Sequence, residues 1–468
     1  MEWKSKLSGL ARRIKALDDF VVVHHYDADG CSAGAIMCKA LQRAGKRVGR
    51  KWVKQLYRET IAQIRGMGTN FVFVDFGSGQ LAYLKEEFGE RLFVFDHHQK
   101  TDVVHENQFS PFDYGINGGT EISASGIAFL FALEMDRKNI DLAPLALVGA
   151  VGDVQDFSGK LIGLNSQIVE MGSKSGYVKV ENGLRLYGRV TRPLVQFLMY
   201  STSPMLPELT ANEGNCVKFY RELGIELKKG EQWRNYNDLS LDERKALSTA
   251  LILRLNSFNV PEWKIQELFG EVYTFPHENQ KSPCSEAKEF STLCNACGRH
   301  GMADVAIEVC MGDREEKYFE ALDLMAEHRR QLRQGIEHVT KNGVMEEEHY
   351  YWFDAGQEIK ESIVGIVAGM LYGSALIETN KPIIAIARNE DGTLKISGRA
   401  TKELLEKGIN LGMAFREVCA DIGDGSEGGG HSVAAGLKLN ADKIEVFRQK
   451  LNEKIAEQIA KRNGIRGH

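Results

Sequence analysis

Four separated stretches near the start of the chain each end an apolar run in a carboxylate or an imidazole. His25, Asp27 and Asp29 lie in HHYDADG, and Asp75 closes FVFVD. Asp96, His97 and His98 close LFVFDHH, and Asp153 follows the small-residue run ALVGAVG. Oxygen and imidazole donors gathered from several strand ends are what a polyvalent metal site at the edge of a parallel sheet requires. In HxDxDG the three side chains alternate by two residues, so an extended segment points His25, Asp27 and Asp29 to one side. Gly30 then lets the backbone turn into a helix. Carboxylates mixed with imidazoles favour Mn²⁺ or a similar ion such as Co²⁺ over Mg²⁺, which prefers oxygen alone. The donors are too many for one ion. A pair about 3.5–4 Å apart with a bridging carboxylate would clamp both the attacking and leaving oxygens of a phosphoryl group. The reading that follows is a metal-dependent hydrolase. Asp156, His105 and His24 fit the plainer role of a cap, a surface charge or a structural histidine.

The elements that would position these groups are visible as alternating patterns. FVVVHH (20–25), FVFVD (71–75) and RLFVFD (91–96) read as strands, with CSAGAIMCKALQRAG (31–45) and LAYLKEEFG (81–89) as helices between them. Such alternation implies parallel βαβ units and a doubly wound α/β sheet. ISASGIAFLFALEMD (122–136) and LAPLALVGAVGD (142–153) read as buried helices. From about Thr191 the texture changes to prolines and charged amphipathic helices, of which DERKALSTALILRLNSF and PEWKIQELFG are the clearest. A long polar helix over 316–343 reads as a connector. A second α/β pattern then follows: strands in HYYWFDA, KPIIAIAR and TLKISGRA, a helix in ESIVGIVAGMLYGSAL, and the glycine-rich GDGSEGGGHSVAAGLKL before a final helix. The expected division is an α/β domain over 1–200 that resumes at about 276–315, a helical insertion over 201–275, a connector helix over 316–344 and a smaller α/β domain over 345–468.

The chain has 468 residues, 43% hydrophobic and 26% charged, with a net charge of −5. That length implies two or three domains. The charge gives no global basic signature, so a polyanion would be held locally by metal ions and a few arginines. MEWKSKLSGLARRIK lacks the apolar core of a signal peptide, and no apolar run is long enough to span a bilayer. The eight scattered cysteines then read as reduced thiols in a cytoplasmic protein. Cys294 and Cys297 form a CxxC that could be half of a zinc site, but their helical surroundings favour core cysteines.

HxDxDG, a strand-ending Asp, DHH and a later GxxGD together resemble the four motifs of the DHH phosphoesterase superfamily. GGGH (Gly428 to His431) resembles the signature of the DHH-associated domain of nucleic-acid-cleaving members. NACGR (Asn295 to Arg299) resembles a motif of RecJ exonucleases. The resemblance spans nearly the whole chain, and LRLYGRVTRPLVQFLMYSTSP is similar to the archaeal RecJ-like, GINS-associated nuclease group. It implies that His25, Asp27 and Asp75 hold one metal ion, and that Asp29, Asp75, His97 and Asp153 hold the other. It makes Asp75, Asp96 and His98 the catalytic group, with Asp96 orienting a histidine and His98 facing the scissile phosphate. Arg299 and Arg399 would contact phosphate, and Gly429, Gly430 and His431 would receive a nucleotide terminus.

The activity so implied is two-metal, single-strand-specific exonuclease hydrolysis of DNA, and plausibly RNA, in replication or repair. No covalent intermediate is formed, and the two α/β domains are expected to face each other across a groove. The polarity leans to 5′→3′, with 3′→5′ cleavage or a short-oligonucleotide phosphodiesterase as alternatives. A pyrophosphatase of the superfamily ranks below these because it lacks the GGGH-type domain. A non-catalytic replication scaffold binding GINS or a helicase-nuclease is the rival from another class. The filled ligand positions favour an enzyme.

Overall fold

The computed structural model describes residues 2–201, 205–373, 376–423 and 428–465. Four of the quoted segments therefore include residues outside the described ones: Met1, 202–204, 374–375 and 424–427. The fold is α/β, and the chain divides into two compact units, Met1–Met325 and Ala326–His468.

The first unit is built on five parallel strands: β1 (Asp19–His25), β2 (Arg47–Val53), β3 (Asn70–Val74), β4 (Leu92–Phe95) and β5 (Gln108–Phe109). Their order across the sheet is β2-β1-β3-β4-β5. Side chains alternate between the two faces, as the pleat dictates. Phe20 and Val22 join one apolar cluster with Val72 and Phe93, while Val21 and Val23 join another with Phe71, Phe73 and Val94. Burial on both faces explains why β1, β3 and β4 are nearly continuous apolar runs. β2 was absent from the sequence reading. It lies at the sheet edge, and its residues are mostly exposed or half-buried. RVGRKWV therefore carries charge where an inner strand would carry valine, which suits an edge.

The helices over the first cluster are Ala28–Arg43, Ala124–Met135, Ala143–Gly152 and Ala287–Arg299. Ala124–Met135 is apolar all round because it is buried almost throughout. The insertion is closed at its base by a long-range antiparallel pair, Lys179–Leu184 with Phe269–Thr274. Between them lies a separate apolar core that includes Leu184, Phe197, Tyr220, Leu247, Leu251 and Leu268. Its Leu241–Ser257 helix starts with a capping box, in which Ser240 and Glu243 satisfy each other's backbone N–H. The Glu289 carboxylate accepts the backbone N–H groups of Val190 and Thr191, tying the insertion to the Ala287–Arg299 helix.

The Glu316–Asn342 helix crosses from the first unit into the second. The second unit holds a mixed six-stranded sheet. Its strands run in the order Met345–Glu346, Tyr351–Asp354, Ile383–Arg388, Leu394–Arg399, Ala434–Leu439 and Gly428–His431. Only the Tyr351–Asp354 and Ile383–Arg388 strands pair in parallel. Ile384 and Ile386 pack with the Leu411–Ile422 and Ile444–Ile465 helices on one face, and Ile383, Ala385 and Ala387 with Glu361–Met370 on the other. Among the described residues no helix is long and apolar enough to cross a membrane.

Candidate metal centre

Each donor of the first unit sits at or next to an end of a strand or helix. His25 is the last residue of β1, and Asp27 is the N-cap of Ala28–Arg43, accepting the Gly30 N–H at 3.0 Å. Asp29 lies in the first turn of that helix. Asp75 follows β3, the Asp96–His98 run follows β4, and Asp153 caps the C-terminus of Ala143–Gly152. The parallel sheet brings these ends to one edge, where open α/β sheets hold their ligands.

The side chains converge into three overlapping groups with metal-ligand spacing: His25, Asp27 and Asp75; Asp29, Asp75, His97 and Asp153; and Asp75, His97 and His98. Asp75 belongs to all three. Its Oδ2 is 3.3 Å from His25 Nδ1, and its Oδ1 is 3.3 Å from His97 Nε2 and 4.0 Å from His98 Nδ1. His25 Nδ1 is also 2.8 Å from Asp27 Oδ2. His97 Nε2 is 3.4 Å from Asp153 Oδ2 and 3.8 Å from Asp29 Oδ2. Asp75 is 2% exposed and has φ of 67°, a left-handed conformation that few side chains other than Asp and Asn enter.

The donor set fits divalent cations. Asp75 Oδ1 and His97 Nε2 are buried without a hydrogen-bond partner, an arrangement too costly to be ordinary packing. The other nitrogen of His97, Nδ1, donates to the Gly118 carbonyl at 2.7 Å. That bond leaves Nε2 unprotonated in the neutral ring and aims it at the carboxylates. Burial and the neighbouring Asp75 push the Asp29 carboxyl up to about 6. Burial opposes charging of His97, yet Asp75, Asp153 and Asp29 outweigh it and hold its pKa well above the usual histidine value. A cluster of carboxylates this dense wants positive charge.

Asp96 stands apart from the three groups. Its Oδ2 accepts the Ser78 N–H at 2.9 Å, and its Oδ1 takes His98 Nδ1 at 2.8 Å and the His98 N–H at 3.1 Å. It therefore fixes the ring of His98. Asp29 is held by the N-terminus of Ala124–Met135, through the N–H groups of Ala124 at 2.7 Å and Ser125 at 2.9 Å. Gly149 makes room for it, since a Cβ there would lie 2.1 Å from Asp29 Oδ1.

The NACGR helix grips the ligand loop from behind. Asn295 Oδ1 accepts the Ala28 N–H at 3.0 Å, and a Cβ on Gly298 would come within 2.0 Å of the Tyr26 carbonyl. Arg299, the last residue of that helix, feels Tyr26 and Asp27 electrostatically. The supporting roles of Gly118, Ala124, Ser125 and Asn295 escaped the sequence reading. Three of them act through backbone atoms, which leave no side-chain signature.

In the second unit Arg399 ends the Leu394–Arg399 strand and donates to the Gly398 carbonyl at 2.8 Å. Gly429, Gly430 and His431 form the edge strand. Their glycines also serve packing: a Cβ on Gly428 would meet Cys419 Sγ at 2.5 Å, and the Gly430 carbonyl lies 2.3 Å from where a Cβ on Gly412 would be.

The plainer readings take concrete form. His24 is fully buried, with its pKa lowered to about 4 by burial, and Asp156 pairs with Arg185. His105 Nδ1 accepts the Asn107 N–H at 3.1 Å. All eight cysteines are buried free thiols, and Cys294 Sγ lies 3.6 Å from Cys310 Sγ.

Known families match the chain in three consecutive blocks: the DHH family N-terminal domain over residues 19–150, the DHH-CID domain over 186–269 and the DHHA1 domain over 349–457. An uncharacterized protein of Methanocaldococcus jannaschii is 30% identical over 97% of this chain and 99% of its own length. The single-stranded-DNA-specific exonuclease RecJ of Escherichia coli is 32% identical over 21% of this chain and 16% of its own length. Among solved structures, CDC45 from Entamoeba histolytica matches with a TM-score of 0.63 at 14% identity, over 97% of this chain and 98% of that one. RecJ from Thermus thermophilus in complex with Mn²⁺ matches with a TM-score of 0.59 at 16% identity, over 97% of this chain and 55% of that one. These structural likenesses establish a shared fold. With the three domain matches in chain order and the ligand groups at the sheet edge, the chain belongs to the DHH superfamily as a RecJ-like member.

Proposed function

We propose that the chain is a divalent-metal-dependent phosphodiesterase that removes nucleotides from an end of single-stranded DNA, in the 5′→3′ direction, and accepts RNA. The observation that carries this reading is Asp75, whose two oxygens face two separate donor groups. His25 and Asp27 would complete one ion's shell with Asp75, and Asp29, His97 and Asp153 the other's. When bound, the two ions supply Lewis acidity that activates water and neutralises phosphoryl charge. Mn²⁺ suits the mixed imidazole and carboxylate set, and RecJ from Thermus thermophilus is described in complex with it.

The remaining tasks fall to the chain itself. Burial opposes charging of His98, but Asp96 at its Nδ1 raises the ring's pKa, and the protonated, half-exposed ring would offer Nε2–H to a phosphoryl oxygen. Asn295 and Gly298 keep the His25–Asp29 loop in register with the sheet edge. Arg299 presents a guanidinium suited to bidentate phosphate contact. In the second unit Arg399, Gly429, Gly430 and His431 would receive the terminal nucleotide. The catalytic domain would comprise residues 1–200 and about 276–315, with the connector over 316–344 and the nucleic-acid-binding domain over 345–468. The insertion would span 201–275; its apolar core extends back to Leu184, and the DHH-CID match covers 186–269.

Replacing Asp75 with Ala should abolish Mn²⁺-dependent digestion of a single-stranded oligonucleotide while circular dichroism stays native. Full activity in that variant would sink the assignment. Oligonucleotides labelled at either end decide polarity, and 3′→5′ degradation would reverse that part. A second reading, a replication scaffold that binds GINS, is supported by the likeness to CDC45 along nearly the whole of both chains. The filled ligand groups support catalysis, and pull-down of GINS from cell extract tests the scaffold role.

A further inference from the structure

Beyond Asp153 the chain makes a strained turn. Val154 has φ of 58° and is 63% exposed, so a β-branched residue stands in the left-handed region while its side chain gains little from packing. Its N–H donates to the Val151 carbonyl at 3.0 Å, and the Gln155 N–H donates to the Ala150 carbonyl at 3.0 Å. These are the two bonds of a Schellman ending, in which glycine usually takes the left-handed position. Strain of this kind persists where the surrounding structure demands it. The turn carries the next side chain, Gln155, into the interior, where it is 1% exposed.

The Gln155 amide is engaged at both ends. Its Nε2 donates to the Gly118 carbonyl at 2.9 Å and to the Ile122 carbonyl at 3.3 Å. Its Oε1 accepts Asn165 Nδ2 at 2.6 Å, from a buried residue in the first turn of the Gly163–Lys174 helix. The Gly118 carbonyl is the one that also accepts His97 Nδ1. Just past Ile122 the same stretch becomes the helix N-terminus whose Ala124 and Ser125 amides hold Asp29. Gln155 thus spans the stretch that fixes His97 and Asp29, while its own backbone follows Asp153 by two residues. Those three ligands and Asp75 make up one donor group. His25 and Asp27 are placed by other means, the end of β1 and the Gly30 N–H. A buried amide can satisfy itself on any free carbonyl, but this one shares a carbonyl already engaged by a ligand's ring.

We propose that Gln155 is a positioning residue for one of the two ions, the one held by Asp29, Asp75, His97 and Asp153. Through the Gly118 and Ile122 carbonyls it sets where His97 and Asp29 stand relative to Asp153, and Asn165 holds its amide in the orientation that does so. The assignment rests on the two-ion part of the reading above and is independent of the substrate. Its signature is selectivity: losing the amide loosens one ion and spares the ion of His25 and Asp27.

The test uses the full-length chain with Gln155→Met, which keeps length and volume but removes the amide, and Asn165→Ala, which removes the donor behind it. Calorimetric titration of the metal-free proteins with Mn²⁺ reads the two affinities, and His25→Ala and His97→Ala assign each to its donor group. Gln155→Met should weaken the His97-dependent ion about tenfold and leave the other within about twofold. Asn165→Ala should weaken the same ion by less. Electron paramagnetic resonance gives a second readout. The wild-type chain with two Mn²⁺ should show the coupled signal of a carboxylate-bridged pair, and Gln155→Met at the same Mn²⁺ concentration the signal of isolated ions. In Gln155→Met combined with His97→Ala the losses should not add, since both act on one ion. A purely structural glutamine would lower the melting temperature and move both affinities together or neither. That result would overturn the assignment and leave the metal reading intact. If Gln155→Met does not fold, Asn165→Ala decides by the same criterion. A wild-type chain that binds no Mn²⁺ would sink the metal reading and this assignment with it.

Discussion

Asp75 carries two burdens in one residue: a left-handed backbone and a carboxylate shared among three donor groups. The two can be separated by substitution. Asn tolerates φ of 67° and keeps the shape, so Asp75→Asn should fold normally and lose Mn²⁺ affinity by calorimetry. Ala lacks that tolerance and should cost about 1 kcal/mol more in denaturant unfolding than Asn does. Equal stability of the two variants would show that the backbone there is relaxed. At this scale the sequence was unusually readable, because His25, Asp27, Asp29, Asp75, His97 and Asp153 are all chemically distinctive residues ending apolar runs. The carbonyl of Gly118 and the amides of Ala124 and Ser125 were not readable. Their contribution is the backbone group that every residue owns, placed by tertiary structure alone.

At the scale of elements, inner strands and buried helices announce themselves by composition, and edges do not. β1, β3 and β4 were visible as apolar runs, whereas β2 was hidden by its arginines and lysines. The Leu241–Ser257 helix was legible from its cap as well as its pattern, and the cap is open to measurement. Ser240→Ala should destabilise the insertion by about 1 kcal/mol in a denaturant titration. Its partner Glu243 is held down to about 2 from 4.5, chiefly by its hydrogen bond to Arg234. A depressed carboxyl stabilises the fold above its unfolded pKa and loses that contribution as pH falls through the folded one. The insertion should therefore weaken between about pH 4.5 and pH 2, and Glu243→Gln should flatten that part of the stability–pH curve. An unchanged acid limb in the variant would exclude the pair as its source.

For the molecule as a whole, the succession of segments was legible because helical and strand periods alternate along the chain. The entry into the insertion was not. The Lys179–Leu184 strand pairs with residues some ninety positions later, and no local window contains both partners. Metal binding gives a readout at this scale. Folding gathers Asp27, Asp29, Asp75 and Asp153 against their mutual repulsion, so a cation that binds only the folded state must stabilise it. Mn²⁺ at a hundred times its Kd should add about 2.7 kcal/mol to the unfolding free energy of the Met1–Met325 unit. Calorimetry should show that shift, and chelation or Asp75→Asn should remove it. The antiparallel pair at the base of the insertion has another consequence. Leu184 and Phe269 face each other in register, so the chain leaves and re-enters the first unit's scaffold through a single doorway. What lies beyond that doorway is a cassette, free to be lengthened, exchanged or lost over evolutionary time while the ligand-bearing sheet behind it stays in place.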